Sequence, residues 1–329
     1  MSEYPSELRR SAISGRWVMI AAGRAKRPHQ FADAASSAAT RDPFSPENLP
    51  KDDIVDFIPN DGTEYSVASD WKVMSIKNAF PFVAEGSSPD TSGYIRDGYG
   101  FHEIVIHSPD ADKNFETFTT EQTEAVIQLY LKRLIDLAGR PHIQHVQIFT
   151  NRGHEAGASV VHPHSQIVAL PVVPPFIQQL VDSSKMYHAK HGVHVVEDEL
   201  ERQDREAVRM IEQTEHFLAY CPYAPHTNYH IRILPKSEHR RFRDIRPEEI
   251  KDLAALLNSL MRKLNAVADT PPYNIYIRTA PTRLVDLDGF HWHIDIQPHL
   301  AIPGGLELAT GIDVITITPE DAAAELRKA

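Results

Sequence analysis

Two stretches of this chain run through the same order of polar and apolar positions. From Thr119 a capping box reaching Gln122 precedes Val126, Ile127, Tyr130, Leu131, Leu134 and Ile135, apolar residues at helical spacing. They predict a helix with one buried face. An alternating strand pattern follows, Val146-Gln147-Ile148-Phe149, then a polar loop with glycines, then His162-Pro163-His164-Ser165-Gln166 running into Ile167-Val168-Ala169-Leu170. The order returns later. Pro247 stands at a first helical position, Ile250, Leu253, Leu257, Leu260, Met261 and Leu264 form the stripe, Tyr273 to Ile277 alternate as a strand, and His291-Trp292-His293 opens the last one.

His162 and His291 are 129 residues apart, as are Gln147 and Tyr276. Upstream, Glu103-Ile104-Val105-Ile106 matches His230-Ile231-Arg232-Ile233 at an offset of 127. The pattern predicts two copies of a strand, strand, helix, strand, strand unit, an α+β arrangement in which antiparallel hairpins and one helix share a core. The units are expected over residues 1–180 and 181–329. Asp182 to Arg205 is charged and opens without an apolar stripe, so it reads as a connector. Arg27 to Asp53, rich in Ala, Ser, Asp and Pro, reads as loop.

With 329 residues, each unit has room for a proper core. The single cysteine, Cys221, excludes an intrachain disulfide and a paired-cysteine zinc site, and reads as a small buried hydrophobe. Against 45 acidic residues stand 34 Lys and Arg, a net charge of −11, the wrong sign for coating a nucleic-acid backbone. Positive charge for a phosphate ligand has to be local. The start lacks a basic-then-apolar signal pattern, and the most apolar stretch, Ile167 to Ile177, is short and broken by prolines. A cytoplasmic protein with neither a membrane nor a nucleic-acid partner is expected.

Side chains alternate along a strand, so His162, His164 and Gln166 share one face. Pro163 cannot donate to a sheet ladder, which places this strand at an edge or projects its first residues beyond the sheet. Just upstream lies Asn151-Arg152-Gly153-His154-Glu155-Ala156-Gly157-Ala158-Ser159, whose glycines allow backbone amides to approach an anion. Imidazole, amide and free N–H groups together suit phosphoryl recognition and attack by nitrogen. The His-x-His pair is also a metal-ligand spacing in a chain with 18 histidines, so a zinc or iron protein is a rival reading, as is a nucleotide binder with an inert histidine.

The string His162 to Gln166, behind Asn151 and Gly157-Ala158-Ser159, resembles the active-site signature of the galactose-1-phosphate uridylyltransferase family in the histidine triad superfamily. Ser14-Gly15-Arg16-Trp17-Val18 with Arg24-Ala25-Lys26-Arg27-Pro28 resembles that family's opening motif, and Asn78-Ala79-Phe80-Pro81 a third element. The resemblance runs from about residue 14 to Arg327 and implies a tandem repeat of two histidine-triad-like units with antiparallel, half-barrel-like sheets. The second unit is then catalytically degenerate, since Asp295 replaces the glutamine and no glycine loop precedes His291.

The resemblance also implies chemistry. His164 attacks the α-phosphorus of a nucleoside diphosphate sugar, and the covalent nucleotidyl-histidine passes the nucleotide to a sugar phosphate or phosphate by ping-pong exchange. The carbonyl of His162 fixes the tautomer and Gln166 holds phosphate oxygens. Arg24, Arg27, Asn78, Asn151, Gly157, Ala158 and Ser159 bind the nucleotide and its phosphates, and Thr310 and Asp313 the sugar. UDP-glucose with a hexose-1-phosphate is the leading substrate pair and phosphorolysis of ADP-glucose the alternative. A homodimer is implied, with the segment near Leu306 to Asp313 reaching a neighbouring site. The family's zinc motif is replaced: Asp42 and Ser45 stand for its cysteines and Ala111 for a histidine, leaving His162, so no cofactor is expected. A second metal is expected to be lost at Asp295 and Gln297.

Overall fold

The computed structural model describes residues 7–14, 17–20, 42–60, 70–83, 85, 98–287 and 289–329. Arg24 and Arg27 lie outside them. Helix α1 (Thr120–Gly139) begins where the capping residue Thr119 accepts a hydrogen bond from the Gln122 amide. Two short N-terminal strands, β1 (Glu7–Arg10) and β2 (Trp17–Ile20), form a small sheet with β13 (Asp313–Ile315).

The first repeat consists of β3 (Ile54–Pro59), β4 (Trp71–Lys77), β5 (Phe101–Ile106), α1, β6 (His145–Arg152) and β7 (His164–Leu170). The second consists of β8 (Met210–Gln213), β9 (Phe217–Tyr220), β10 (Ile231–Pro235), α4 (Pro247–Ala268), β11 (Tyr273–Arg278) and β12 (His293–Pro298). Between them run α2 (Pro175–His191) and α3 (Val195–Glu206), and α5 (Gly305–Thr310) and α6 (Pro319–Lys328) close the chain. All the repeat strands join one ten-stranded antiparallel sheet ordered β3-β4-β5-β7-β6-β11-β12-β10-β9-β8. The order reads the same from both ends. At the seam β6 pairs with β11, and Ile148 lies opposite Ile277, its own counterpart at the offset of 129. This is the α+β tandem architecture that the repeat pattern predicts.

One face of the sheet packs on α1 and α4. Val105, Ile148, Ile167, Ile233, Ile275 and Ile294 meet Val126, Leu129, Leu134, Leu253, Leu257 and Leu260 in a continuous buried cluster. Period two then sends His164, Gln166, Asn151, Asn274 and Asp295 to the opposite face. On that face Met74, Ile76, Ile104 and Ile106 are covered by Phe44 and Leu49. In the second repeat the same face carries Leu218, Tyr220 and Leu234, and α2 and α3 cover it with Ile177, Leu180, Val181, Val195 and Val196.

Three expectations change. The segment Asp182 to Arg205 is more than a connector: its helices roof the second repeat, with their apolar anchors at the start of α2 and the start of α3. Of the two placements expected for β7 the edge is excluded, since it is interior, between β5 and β6, and the other fits: His162 and Pro163 stand before its first residue, so the proline costs no ladder bond. The upstream offset is 128 within the sheet, because Ile104 faces Gln166 whereas Arg232 faces Asp295. One residue of slip moves Arg232 from the helix-packed face to the other.

Candidate active site

His164 opens β7 and is buried. Its Nδ1 donates to the carbonyl of His162 at 2.8 Å, which leaves the lone pair on Nε2. Nε2 has no hydrogen-bond partner among the described residues. Burial, the largest effect, holds the His164 pKa below its ordinary 6.5, so the ring is neutral at pH 7. Phe44 packs edge-on against this ring, 5.0 Å between centroids.

The loop that carries Phe44 is ordered by Asp42. Its Oδ1 accepts from the Phe44 amide, its carbonyl accepts from Asn48 Nδ2 (2.7 Å) and Ser45 Oγ (3.2 Å), and its Oδ2 lies 2.8 Å from His162 Nδ1. The other nitrogen of His162 donates to the Ser108 carbonyl at 2.7 Å. Both ring nitrogens of His162 thus face oxygen acceptors. Ala111 lies in the turn that follows Ser108.

Gln166 Oε1 accepts from His102 Nε2 at 2.8 Å, while the Phe82 amide donates to His102 Nδ1 at 3.1 Å. With its carbonyl so held, Gln166 presents its NH2 group to the site. Asn78, at the end of β4, comes within 3.0 Å of the same imidazole, so His102 joins two of the expected ligand contacts. On the reverse side of β7, Ser165 Oγ contacts Thr150 Oγ1 (2.5 Å), His107 Nε2 (2.7 Å) and the Tyr130 hydroxyl, a buried polar network that braces the strand. Neither His102 nor His107 is singled out in the sequence. The alternation of β5 was the available signal, since it puts His102 on the face of Gln166.

Asn151 ends the site-facing row of β6, and its Nδ2 points at the Gly157 carbonyl, 3.4 Å away. The loop turns back at Gly153 and Gly157, with φ of 82° and 81°, values that favour glycine. The amides of Gly157 and Ala158 are bonded to the carbonyls of His154 and Gly153. They close the turn instead of facing out, and of the three expected amides only that of the exposed Ser159 has no bond within the turn.

Thr310 and Asp313 do not join these residues. Thr310 ends α5 with its hydroxyl on the Leu306 carbonyl. Asp313 Oδ2 accepts from His226 Nδ1 at 2.6 Å and lines a cavity of about 510 Å³ with Arg278, Gln297, His299 and Glu307. Among the described residues, none before Phe176 lines that cavity.

In the second repeat His293 Nδ1 donates to the His291 carbonyl at 3.2 Å, and His291 Nε2 to the Ser237 carbonyl, the counterpart of Ser108. Trp292 is wholly buried, edge-on to Phe217 and Phe242. Asp295 takes Arg232 Nε (2.7 Å), His230 Nε2 (3.0 Å) and Arg278 Nε (3.5 Å). Burial alone would raise its pKa, but Arg232 and the surrounding positive groups hold it well below the usual carboxylate range.

The site sets an imidazole beside an amide and a glycine turn on a doubled α+β fold, and the family and relatives of the chain make it a hexose-1-phosphate nucleotidyltransferase. The chain belongs to the galactose-1-phosphate uridyl transferase family: that family's N-terminal domain matches residues 1–174 and its C-terminal domain residues 180–327. An ADP-glucose phosphorylase of Arabidopsis thaliana is 31% identical over 98% of this chain and 92% of its own length. A galactose-1-phosphate uridylyltransferase of Thermotoga maritima is 27% identical over 98% of both. The crystal structure of an Arabidopsis thaliana ADP-glucose phosphorylase with bound ADP-glucose superposes with a TM-score of 0.85 at 28% identity over 99% of both chains.

Proposed function

We propose that this chain moves the nucleotide of a nucleoside diphosphate hexose to an acceptor through a covalent bond to His164. The observation that carries the reading is the His164 ring itself, with Nδ1 spent on the preceding backbone carbonyl and a neutral Nε2 left without a partner among the described residues. The Nε2 lone pair forms the bond to the α-phosphorus, and the bond to the bridging oxygen breaks as hexose-1-phosphate leaves with that electron pair. An acceptor phosphate oxygen then displaces the imidazole. Gln166 and Asn151 donate to phosphate oxygens, Asn78 and the Gly157 to Ser159 turn bound the nucleotide pocket, and Arg24 and Arg27 supply the local charge that a net −11 lacks.

The cavity containing Asp313, with Tyr276 and Phe176 beside polar groups, suits a hexose phosphate. In a homodimer it serves the neighbouring copy, a reading supported by the exposed apolar side chains Ile302, Leu306 and Leu308 on the adjoining segment. The family zinc has no place in this reading. One carboxylate, one hydroxyl and an imidazole with both nitrogens engaged do not fit a tetrahedral zinc site, and the Asp42 hydrogen bonds order the loop in its stead.

UDP-glucose with galactose-1-phosphate is the substrate pair that family membership favours. The similarity to ADP-glucose phosphorylase favours a second reading, ADP-glucose with inorganic phosphate as acceptor. Incubation with each donor labelled in the α-phosphate separates them. Acid-labile, base-stable label on His164 from one donor, discharged by its matching acceptor, is expected, and label retained in His164→Asn overturns the role of this histidine.

A further inference from the structure

The repeats meet along β6 and β11, and at one end of that seam Asn151 lies opposite Asn274. Asn274 is 5% exposed. Its amide nitrogen donates to the Ala156 carbonyl and to Asn151 Oδ1, both at 2.8 Å, and its Oδ1 accepts from His299 Nε2 at 2.5 Å. The directions follow from chemistry, because a backbone carbonyl only accepts. With Ala156 fixing which end of Asn274 carries the NH2, Asn151 turns its oxygen to Asn274 and its own NH2 toward the Gly157 carbonyl, 3.4 Å away, which leaves one hydrogen of that NH2 for a ligand. A second contact grips the same turn: a Cβ on Gly153 would lie 2.8 Å from Cβ of Pro272, two residues before Asn274.

We propose that Asn274, contributed by the repeat without a working nucleophile, is a positioning residue for transfer in the other repeat. It holds the glycine turn through Ala156 and orients Asn151 toward the ligand. The inference rests on the His164 reading above. Asparagine supplies two donors and an acceptor here: aspartate of the same size would set a carboxylate against two oxygen acceptors, and alanine would leave three groups, one of them the buried Ala156 carbonyl, without this partner. His299, which holds the acceptor end, also lines the cavity of the second repeat, so the brace runs from that cavity to the turn.

The test compares the full-length protein with Asn274→Asp, Asn274→Ala, Asn151→Ala and the Asn151→Ala/Asn274→Ala double variant. The rate of label transfer from α-phosphate-labelled UDP-glucose or ADP-glucose to His164 is read across donor concentration. Asn274→Asp is expected to slow transfer at saturating donor by about 30-fold while KM changes less than about threefold, the loss of two oriented hydrogen bonds. The double variant is expected to be slower than Asn151→Ala by much less than the effect of Asn274→Ala alone, since one residue acts through the other. Wild-type rates in both single Asn274 variants, or losses that multiply in the double variant, overturn the proposal. Should the aspartate variant not fold, the alanine variants and Asn274→Ser carry the same comparison. A wild-type protein labelled by neither donor overturns the His164 reading instead, a result distinct from a labelled protein indifferent to Asn274.

Discussion

His164 and His293 occupy the same position in two copies of one fold. Each donates from Nδ1 to the carbonyl two residues back, and each preceding histidine donates to the carbonyl of a matching serine. What separates them is the far side of the ring. Nε2 of His164 faces no described protein group, whereas Nε2 of His293 is buried 3.7 Å from Asp295 inside a cluster with Arg232, Arg278 and His230. Helices α2 and α3 roof the second repeat. Among the described residues, the first has the Asp42 to Leu49 loop over part of that face. The repeat backbone therefore supplies the same tautomer to both copies, and only the surroundings of Nε2 tell them apart.

The sharpest way to break this comparison is to remove each ring. His164→Asn should lower nucleotide transfer by about 10⁴-fold or more, as expected for loss of a covalent nucleophile, while His293→Asn changes it by less than about threefold. Equal losses measured in steady-state assays would make the copies functionally equivalent. Next in size is Asp295→Asn, which leaves Arg232 and Arg278 buried without their carboxylate and should cost about 3–5 kcal/mol in urea unfolding. Gln166→Glu, at the matching position of the first repeat, should leave stability far less changed and depress transfer.

The two rings also differ in their titration. Burial pushes the His293 pKa down to about 3 and that of His164 below 6.5. For a histidine with a depressed folded-state value, the unfolded chain binds more protons below pH 6.5, so the stability it contributes is full above that value and falls as the pH drops toward the folded value. Transfer should likewise lose about tenfold per pH unit once the pH passes below the His164 value, because the protonated ring has no lone pair. A rate profile with its acid midpoint above 6.5 would contradict the burial of His164. A smaller effect than that of His164→Asn is expected of Asp42→Ala, which frees the loop and one nitrogen of His162. Transfer should slow by about fivefold from the loss of one charged hydrogen bond, and added zinc should not restore it.

Much of the fold is legible along the chain because its periods are strong. The α1 and α4 stripes, the alternation of β6 and β11, and the offset of 129 announce two copies. The shared face of His164 and Gln166 follows from strand alternation, and the bond to the His162 carbonyl from the family resemblance. His102 escapes notice because its partners, Phe82 and Gln166, are distant in sequence and meet it only through the pairing of β5 with β7. Arg232 is misplaced by one residue at the sequence level because Ile231 and Ile233 look like Ile104 and Ile106 along the chain, yet they pack on the helix side, where Val105 stands in the first repeat. The glycine turn is located correctly, yet the direction of its amides depends on a closure at Gly153 that composition does not encode.

The sequence by itself determined the doubled unit and the face shared by His164 and Gln166, since each depends on residue identity and near-neighbour spacing. Only the tertiary structure decided which copy keeps an open nitrogen, what orders the loop around Asp42, and that Asn274 of the second repeat holds the turn of the first. Those outcomes are set by burial and by hydrogen bonds between residues more than 100 positions apart in the chain, which no local pattern records.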